Sequence, residues 1–339
     1  MEETQLNNYK VLIRCSTYNH SDYIKETLNG FVIQKTNFPF LCLIMDDAST
    51  DGEQLLIKKF IEDECDPNRT KIISNDDIAE VVMAHHRANP NCVLLAYLLK
   101  INLYGTGKKE PLIKPWQNQC KYIALCEGDD YWTAPYKLQK QVDFLESNPE
   151  YTMCFANAIE HWENDKSKED KLFSNIEDRD YTGLEICKKW IVPTASTLFI
   201  KDIYESEIYQ KAINNINFIY GDIILWLSCA HLGKIRGMSD VVSVYRRCNS
   251  GAVLSTHDNP IWLYKEALHV KTIYQVFGNK YKKCCEDIFY SNNAIYFLKF
   301  LRKRKFSSSY LFLKLSLKSS IKKTILNIYK VIKDKIASH

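Results

Sequence analysis

The strongest constraint on the fold is a recurring unit: a continuous apolar run, a sharp polar break, then a stretch with helical periodicity. "YKVLIRC" (9–15) breaks into "STYN", and "FPFLCLIM" (38–45) breaks at Asp46 and Asp47. "KYIALC" (121–126) breaks at Glu127, Asp129 and Asp130. Apolar runs of this length, bounded by turn residues, read as buried strands. After the first run a helix is expected from Ser21, as N-cap, through Gln34. After the second, "ASTDG" leads into a helix from about Asp51 to Glu64, and "TKIISN" reads as a third short strand. Strand, helix, strand, helix, strand is the rhythm of a parallel sheet with crossover helices. With 339 residues, the chain has the length for one large domain or two.

Between Asp76 and Gln119 the pattern is ambiguous. "VVMAHHRANPNCVLLAYLL" fits helix and strand alike, and "YGTGKKEPLIKPWQ" reads as a loop. After "KYIALC" a helix is expected from Pro135 until just before Pro149. The strand "YTMCFANAIEHW", a charged loop from Glu163 to Asp180 and the strand "TASTLFI" follow. The apolar helix "YGDIILWLSCAHLG", with one acid near its start, precedes the strand-rich "KIRGMSDVVSVYRR". Beyond Asn259 the chain reads as helical and increasingly basic. The expected organisation is an α/β domain over 1–255 and a basic helical region over 256–339.

In an open parallel sheet, ligands collect at the carboxyl ends of the strands. By this reading three turns sit there: Ser16 to Asn19, Asp46 to Asp51, and Glu127 to Asp130. Asp and Asn are also good helix caps, which is the plain structural explanation for Asp46 and Asp51. Capping needs one acceptor, whereas "EGDD" offers three carboxylates. Crowded like charges repel unless a cation sits among them, and a hard divalent ion with oxygen ligands meets that need.

The blocks "CSTYNHSDYIKETLNGFVIQ", "LIMDDASTDG" and "KYIALCEGDDYWTAPYKLQKQVDFLESNPEY" occur in this order. Together they resemble the inverting family 2 glycosyltransferases, of the bacterial polysaccharide or cell-envelope glycan type. The likeness covers roughly residues 9–160 and loosens towards 255. It implies a GT-A-like, Rossmann-type mixed sheet flanked by helices, with a C-terminal helical extension. It implies transfer of a sugar, with inversion, from a nucleotide-diphosphate donor such as a UDP-sugar to a hydroxyl of a glycan or lipid-linked acceptor. Thr17 and Tyr18 would then lie against the nucleotide, and Asp47 would accept a hydrogen bond from the base. Asp129 would ligate Mn2+ or Mg2+ at the diphosphate, with Glu127 beside the ribose or in the metal shell. Asp222, in "FIYGDIILWL", stands where the family places the general base. Trp132 reads as a flank of the sugar or as core, and Thr194, Ala195 and Ser196 as pocket lining. Two departures matter. Cys248 stands where many relatives carry a His, so either Arg246 or Arg247 neutralises phosphate or that contact is absent. The segment "NLYGTGKKEPLIKPWQNQC" replaces the usual one, with Lys108 or Lys109 as candidates for the diphosphate.

The formal net charge of +4 hides an asymmetry. Residues 299–335 hold twelve Lys or Arg and one acid, a local +11, so the remainder carries −7. In this tail Leu311, Leu315, Ile321, Ile325, Ile328 and Ile332 recur near helical spacing among lysines. A basic amphipathic helix suits an anionic membrane surface, while the same stripe would equally serve packing on the protein or on a second subunit of a homo-oligomer. Few aromatic platforms accompany the charge, so nucleic acid is not an expected partner. Twelve cysteines without a CxxC pair, several inside strand-like runs, predict reduced thiols rather than a disulfide framework. "MEETQLNNYK" lacks the apolar core of a leader, and no apolar run is long enough to span a bilayer. The expected location is cytoplasmic, peripheral at the inner face of the cell membrane. Two other readings remain: a non-catalytic nucleotide-sugar-binding protein of the same fold, and a phosphoacceptor domain, whose Thr and Lys layout this chain does not show.

Overall fold

The structure is a computed structural model that describes residues 9–248 and 258–337. The expected boundary at 255/256 lies outside the described residues. The described chain divides into two units, one of residues 9–181, 191–204 and 232–248, the other of 182–190, 205–231 and 258–337.

The first unit opens with β1 (Val11–Thr17), α1 (Ile24–Val32), β2 (Phe40–Asp46) and α2 (Glu53–Glu64). Then come β3 (Cys65–Asn75), β4 (Ala79–His86), β5 (Cys92–Leu99) and α3 (Glu110–Gln117). β6 (Tyr122–Leu125), β7 (Tyr131–Trp132), α4 (Lys137–Ser147) and β8 (Tyr151–Trp162) follow. The unit is completed by β9 (Lys171–Leu172), β10 (Asp180–Tyr181), β11 (Leu198–Ile200) and β12 (Lys234–Arg247). All twelve strands form one mixed sheet whose main path runs β10-β12-β8-β11-β6-β1-β2-β5-β4-β3. β1 lies between β2 and β6, and β2 also pairs with β5, all in parallel. Their apolar runs are long, broken within β1 only by Arg14 before its polar end, because both of their faces are covered. Every residue of β2 and β5 is buried.

Three expectations are corrected. The strand at "TKIISN" is not the third parallel strand: β3 runs antiparallel to β4, at the end of the sheet path, with Ile72 and Ile73 exposed. The ambiguous 79–99 region is a β-hairpin, and its second strand, β5, takes the parallel place. The loop expected over 104–117 contains α3, with Pro in its first turn. Ser21 does not cap α1. Its backbone N–H instead donates to Asp51 Oδ2 at 2.9 Å, and the helix begins at Ile24.

The second unit is helical: α5 (Gly183–Lys188), α6 (Glu207–Ile213), α7 (Gly221–Leu232), α8 (Pro260–Phe277), α9 (Lys282–Arg302), α10 (Phe306–Leu317) and α11 (Ile321–Ala337). The basic tail is therefore not one helix. It breaks around Arg304, which holds a left-handed φ of 56°, and again at 318–320. Leu263, Phe300 and Phe312 form a small core joining α8, α9 and α10. Among the described residues no helix is long and apolar enough to cross a membrane, and all twelve cysteines are free thiols.

Candidate active site at the strand ends

The three turns, two of them acid-bearing, meet because β1 lies between β2 and β6. At its end Ser16 O accepts the Gly128 N–H at 3.0 Å, and Thr17 O accepts the Asp47 N–H at 3.0 Å. Thr17, Asp47 and the Glu127–Asp129 turn are thereby fixed at the C-terminal ends of β1, β2 and β6. The approach at Gly128 is tight enough that a Cβ there would lie 2.0 Å from Thr17 Oγ1. Tyr18, just beyond β1, is 45% exposed.

A residue that sequence reasoning missed ties these turns together. Glu53 looks like an ordinary first-turn acid, yet it is fully buried. It accepts the Thr17 hydroxyl, the His20 N–H at 2.9 Å and the Ser49 hydroxyl at 2.9 Å. Burial outweighs these donors and raises its carboxyl above the usual range.

The two aspartates after β2 have separated tasks. Asp46 does not cap α2, whose N-cap is Gly52; it ties the turn to the helix, accepting Ser49 N–H at 3.0 Å and Gln54 Nε2–H at 2.6 Å, while Asp51 Oδ1 accepts the Glu53 N–H at 3.1 Å. Asp47 is buried, with Oδ1 taking the Leu103 N–H at 2.7 Å and Oδ2 paired with Lys109 Nζ at 2.7 Å. Lys109, one of the two lysines considered for the diphosphate, is thus paired with Asp47. Ala48, next in the chain, holds a φ of 63°, a left-handed conformation that costs a non-glycine residue about 1–2 kcal/mol. Strain of this kind clusters at ligand sites.

The crowding of Glu127, Asp129 and Asp130 is resolved by divergence. Asp130 turns inward, is buried, and accepts the Arg246 N–H at 2.9 Å. Burial first, and Asp129 second, push its carboxyl well up. The Asp129 side chain stays part-exposed, with Oδ2 3.9 Å from His20 Nε2. Arg246 is the clamp. Its Nη1 donates to the Asp129 carbonyl at 2.9 Å, Nε to Glu163 at 3.2 Å, and Nη2 to Glu26. Its guanidinium lies 4.9 and 4.5 Å from the ring centroids of Tyr23 and Tyr131. Arg247 Nε is likewise engaged, with Glu160 at 2.7 Å. Both guanidinium groups, the two candidates for phosphate, are thus held by carboxylates. Cys248 hydrogen-bonds Tyr23, and burial raises its thiol. Arg246→Ala is expected to destabilise the unit by about 3 kcal/mol, the low end for a broken buried ion pair because Glu26 and Glu163 keep access to water. Denaturant unfolding checks it.

The donor set fits a hard divalent ion only in part. Asp129 and Glu127 offer carboxylate oxygens, and the acids here act together: Glu53, Glu127, Asp129 and Asp130 all add to burial in raising the Cys15 thiol. Among the described residues no group of three His, Cys, Asp or Glu is arranged to hold a metal. The protein would supply one or two carboxylates, leaving the other positions to phosphate oxygens and water, as Mg2+ prefers.

Trp132 belongs to the core. It is 2% exposed, donates Nε1–H to Ala195 O at 2.7 Å and sits edge-on to Phe31. Ala195 and Ser196 are also buried, so neither lines an open pocket. Gln141 and the buried Lys137 bond the carbonyls of Ser196 and Thr197 at 2.8 and 3.3 Å, and burial lowers the Lys137 ammonium to about 7.

Asp222 lies in the second unit, in the first turn of α7, where Oδ1 accepts the Ile223 N–H at 2.8 Å. Burial pushes its carboxyl up to about 6. Beside it in the chain, the Tyr220 ring meets Trp190, Trp262 and His269 at centroid distances of 5.8, 6.2 and 5.0 Å. Trp190 is 41% exposed, which gives this cluster an open aromatic face. The sequence gives no sign of it, because its members come from three distant segments.

No family model matches the chain. Uncharacterized proteins of Mycobacterium tuberculosis and Mycobacterium bovis are each 30% identical to it over 233 residues, 68% of this chain. The match takes in 57% of their length, so the chain spans little more than half of these relatives. Among solved structures, residues 1–349 of S. aureus TarS in complex with UDP superpose with a TM-score of 0.55 at 16% identity, covering 97% of this chain and 92% of that one. The mannosyltransferase PcManGT from Pyrobaculum calidifontis, in complex with GDP-Man and Mn2+, gives a TM-score of 0.50 at 13% identity, covering 98% and 81%. The chain has a glycosyltransferase fold.

Proposed function

We propose that the chain is an inverting glycosyltransferase that moves a sugar from a nucleoside-diphosphate donor to a hydroxyl of a glycan or lipid-linked acceptor. The observation that carries this reading is the meeting of Thr17, Asp47 and the Glu127–Asp129 turn at the ends of three adjacent parallel strands. The glycosyltransferase fold supports it, as do the solved relatives that hold UDP or GDP-Man.

In this reading Thr17 and Tyr18 border the nucleotide. Asp47 accepts the base imide N–H with the oxygen that Lys109 now holds, freeing that ammonium for the donor. Asp129 and Glu127 hold Mn2+ or Mg2+. When bound, such an ion neutralises the charge that develops on the departing diphosphate. Glu53 and Arg246 fix the turns, so that the carboxylates need not reorganise as charge moves. Asp222 takes the proton from the attacking hydroxyl, and its raised pKa suits that task near neutrality. The open face of Trp190, beside Tyr220, suits stacking against the acceptor sugar.

The helical unit is proposed to rest on an anionic membrane through α11. Ile321, Ile325, Leu326, Tyr329 and Ile332 on this helix are exposed among Lys322, Lys330 and Lys333. Among the described side chains of this helix, Thr324 is the one that is buried.

A panel of UDP-, GDP- and other nucleotide sugars, each with Mn2+ and with Mg2+, tests the activity through release of nucleoside diphosphate. Metal-dependent turnover of one donor class is expected. Donor binding without hydrolysis or transfer would favour a non-catalytic binding protein.

A further inference from the structure

The helical unit contains a cavity of about 220 Å3 lined by Lys271, Lys282 and Lys318, with Ser319, Tyr274 and Tyr290. That volume has room for roughly seven waters at liquid density, or for a phosphate group with part of its hydration shell. Its composition is unusual for a space between helices. Three lysines come from three elements: Lys271 from α8, Lys282 from the start of α9, and Lys318 from the turn between α10 and α11. None of the three makes an ion pair among the described residues; Lys271 Nζ donates instead to the Ser319 hydroxyl at 3.2 Å. The one acid in the lining, Glu286, is paired with Lys323. The Tyr290 phenol lies in hydrogen-bonding reach of the Ser319 and Ser320 hydroxyls. With three lysines and one carboxylate, itself shared with Lys323, the lining is net positive, and an anion would offset that charge.

We propose that this cavity binds the terminal phosphate of an anionic lipid. A phosphate monoester carries about −1.5 to −2 charges and three acceptor oxygens, which matches three lysines and a group of hydroxyls better than a singly charged diester does. The location selects a lipid over a free anion. Ser319 and Ser320 lead directly into α11, whose exposed apolar residues begin at Ile321. A phosphate held in the cavity would stand at the end of that apolar face, as a headgroup stands beside its chains. The inference deepens the proposed membrane contact and rests on it. It adds a headgroup preference that diffuse attraction between lysines and a charged surface does not supply.

The test compares the full chain, the K271Q/K282Q/K318Q variant and the K322Q/K330Q/K333Q variant, which loses the same charge from the α11 surface. Cosedimentation is measured with phosphatidylcholine vesicles carrying phosphatidic acid or, at matched surface charge, phosphatidylglycerol. The unaltered chain should prefer phosphatidic acid. The cavity variant should lose that preference, with binding falling roughly fivefold for each lysine removed, as for a lysine at an anionic lipid surface. The α11 variant should bind both vesicles more weakly and keep the preference. Thermal melting with inorganic phosphate alone separates the sources. Stabilisation of the unaltered chain by phosphate, with no preference among vesicles, would make this a free-phosphate site and overturn the lipid assignment. Absence of the preference in the unaltered chain, or its survival in the cavity variant, would overturn the proposal, whereas loss of all vesicle binding in the α11 variant alone would leave the membrane contact standing without a headgroup site.

Discussion

Asp222→Asn is expected to lower the transfer rate by about 10²- to 10⁴-fold, the usual loss when a general base is removed. UDP affinity should stay near that of the unaltered chain. The side chain keeps its size and can still accept the Ile223 N–H, but the amide cannot take a proton from a hydroxyl. With the carboxyl pushed up to about 6, the rate of the unaltered enzyme should climb as pH rises through 6 and level off above it. The same shift has a stability consequence of definite sign. The folded state holds this proton to higher pH than the unfolded chain, so the stabilisation it provides is complete below the unfolded pKa near 4 and is lost as pH rises through 6. Above pH 6 the folded protein carries a partly buried charge, at a cost of roughly 2 kcal/mol. The Asn variant escapes this cost and should be the more stable protein at neutral pH. A residue kept only to cap α7 would behave oppositely, with stability falling and the rate little changed. Parallel pH–rate and pH–unfolding curves for the two proteins distinguish these outcomes.

What the sequence disclosed follows from where each element is buried. β1, β2 and β6 were legible because two-sided burial leaves a largely apolar run, and the polar residue that ends each run is the strand end itself. β4 and β5 were not, since "VVMAHH" and "VLLAYLL" have no period that separates helix from strand, and pairing within a hairpin is not written in either half. Ser21 looked like a cap because a local pattern cannot show that Asp51 arrives from another turn to take its N–H. The acidic turn was visible as composition, but the split between Asp129 outward and Asp130 inward was not. It depends on Arg246, 116 positions beyond Asp130. Glu53 was missed because its burial comes from Thr17, His20 and Ser49 folding over it. The tail showed its apolar spacing but not its breaks. Arg304 carries no glycine-like signature, and the contact of Phe300 with Phe312 requires the chain to turn back between them.

The central claim is that the ends of β1, β2 and β6 bind a nucleoside diphosphate together with a divalent ion, and it rests most heavily on Asp129. Asp130 is occupied by Arg246 and raised by burial, and Asp46 serves Ser49 and Gln54. Asp129 is the part-exposed carboxylate at the centre of the turn, with His20 Nε2 3.9 Å from its Oδ2. An ion that takes most of its ligands from phosphate and water depends strongly on one protein oxygen. Asp129→Ala should therefore exceed the ~10- to 100-fold loss of affinity that follows removal of an outer hydrogen-bond partner of a metal ligand. The direct measurement is calorimetric titration of UDP into the unaltered chain and into Asp129→Ala, each with Mn2+ and with chelator. The account predicts Mn2+-dependent binding to the unaltered chain and, for the variant, affinity that is low and indifferent to Mn2+. Equal, Mn2+-dependent affinity in both proteins would contradict it and move the metal away from this turn.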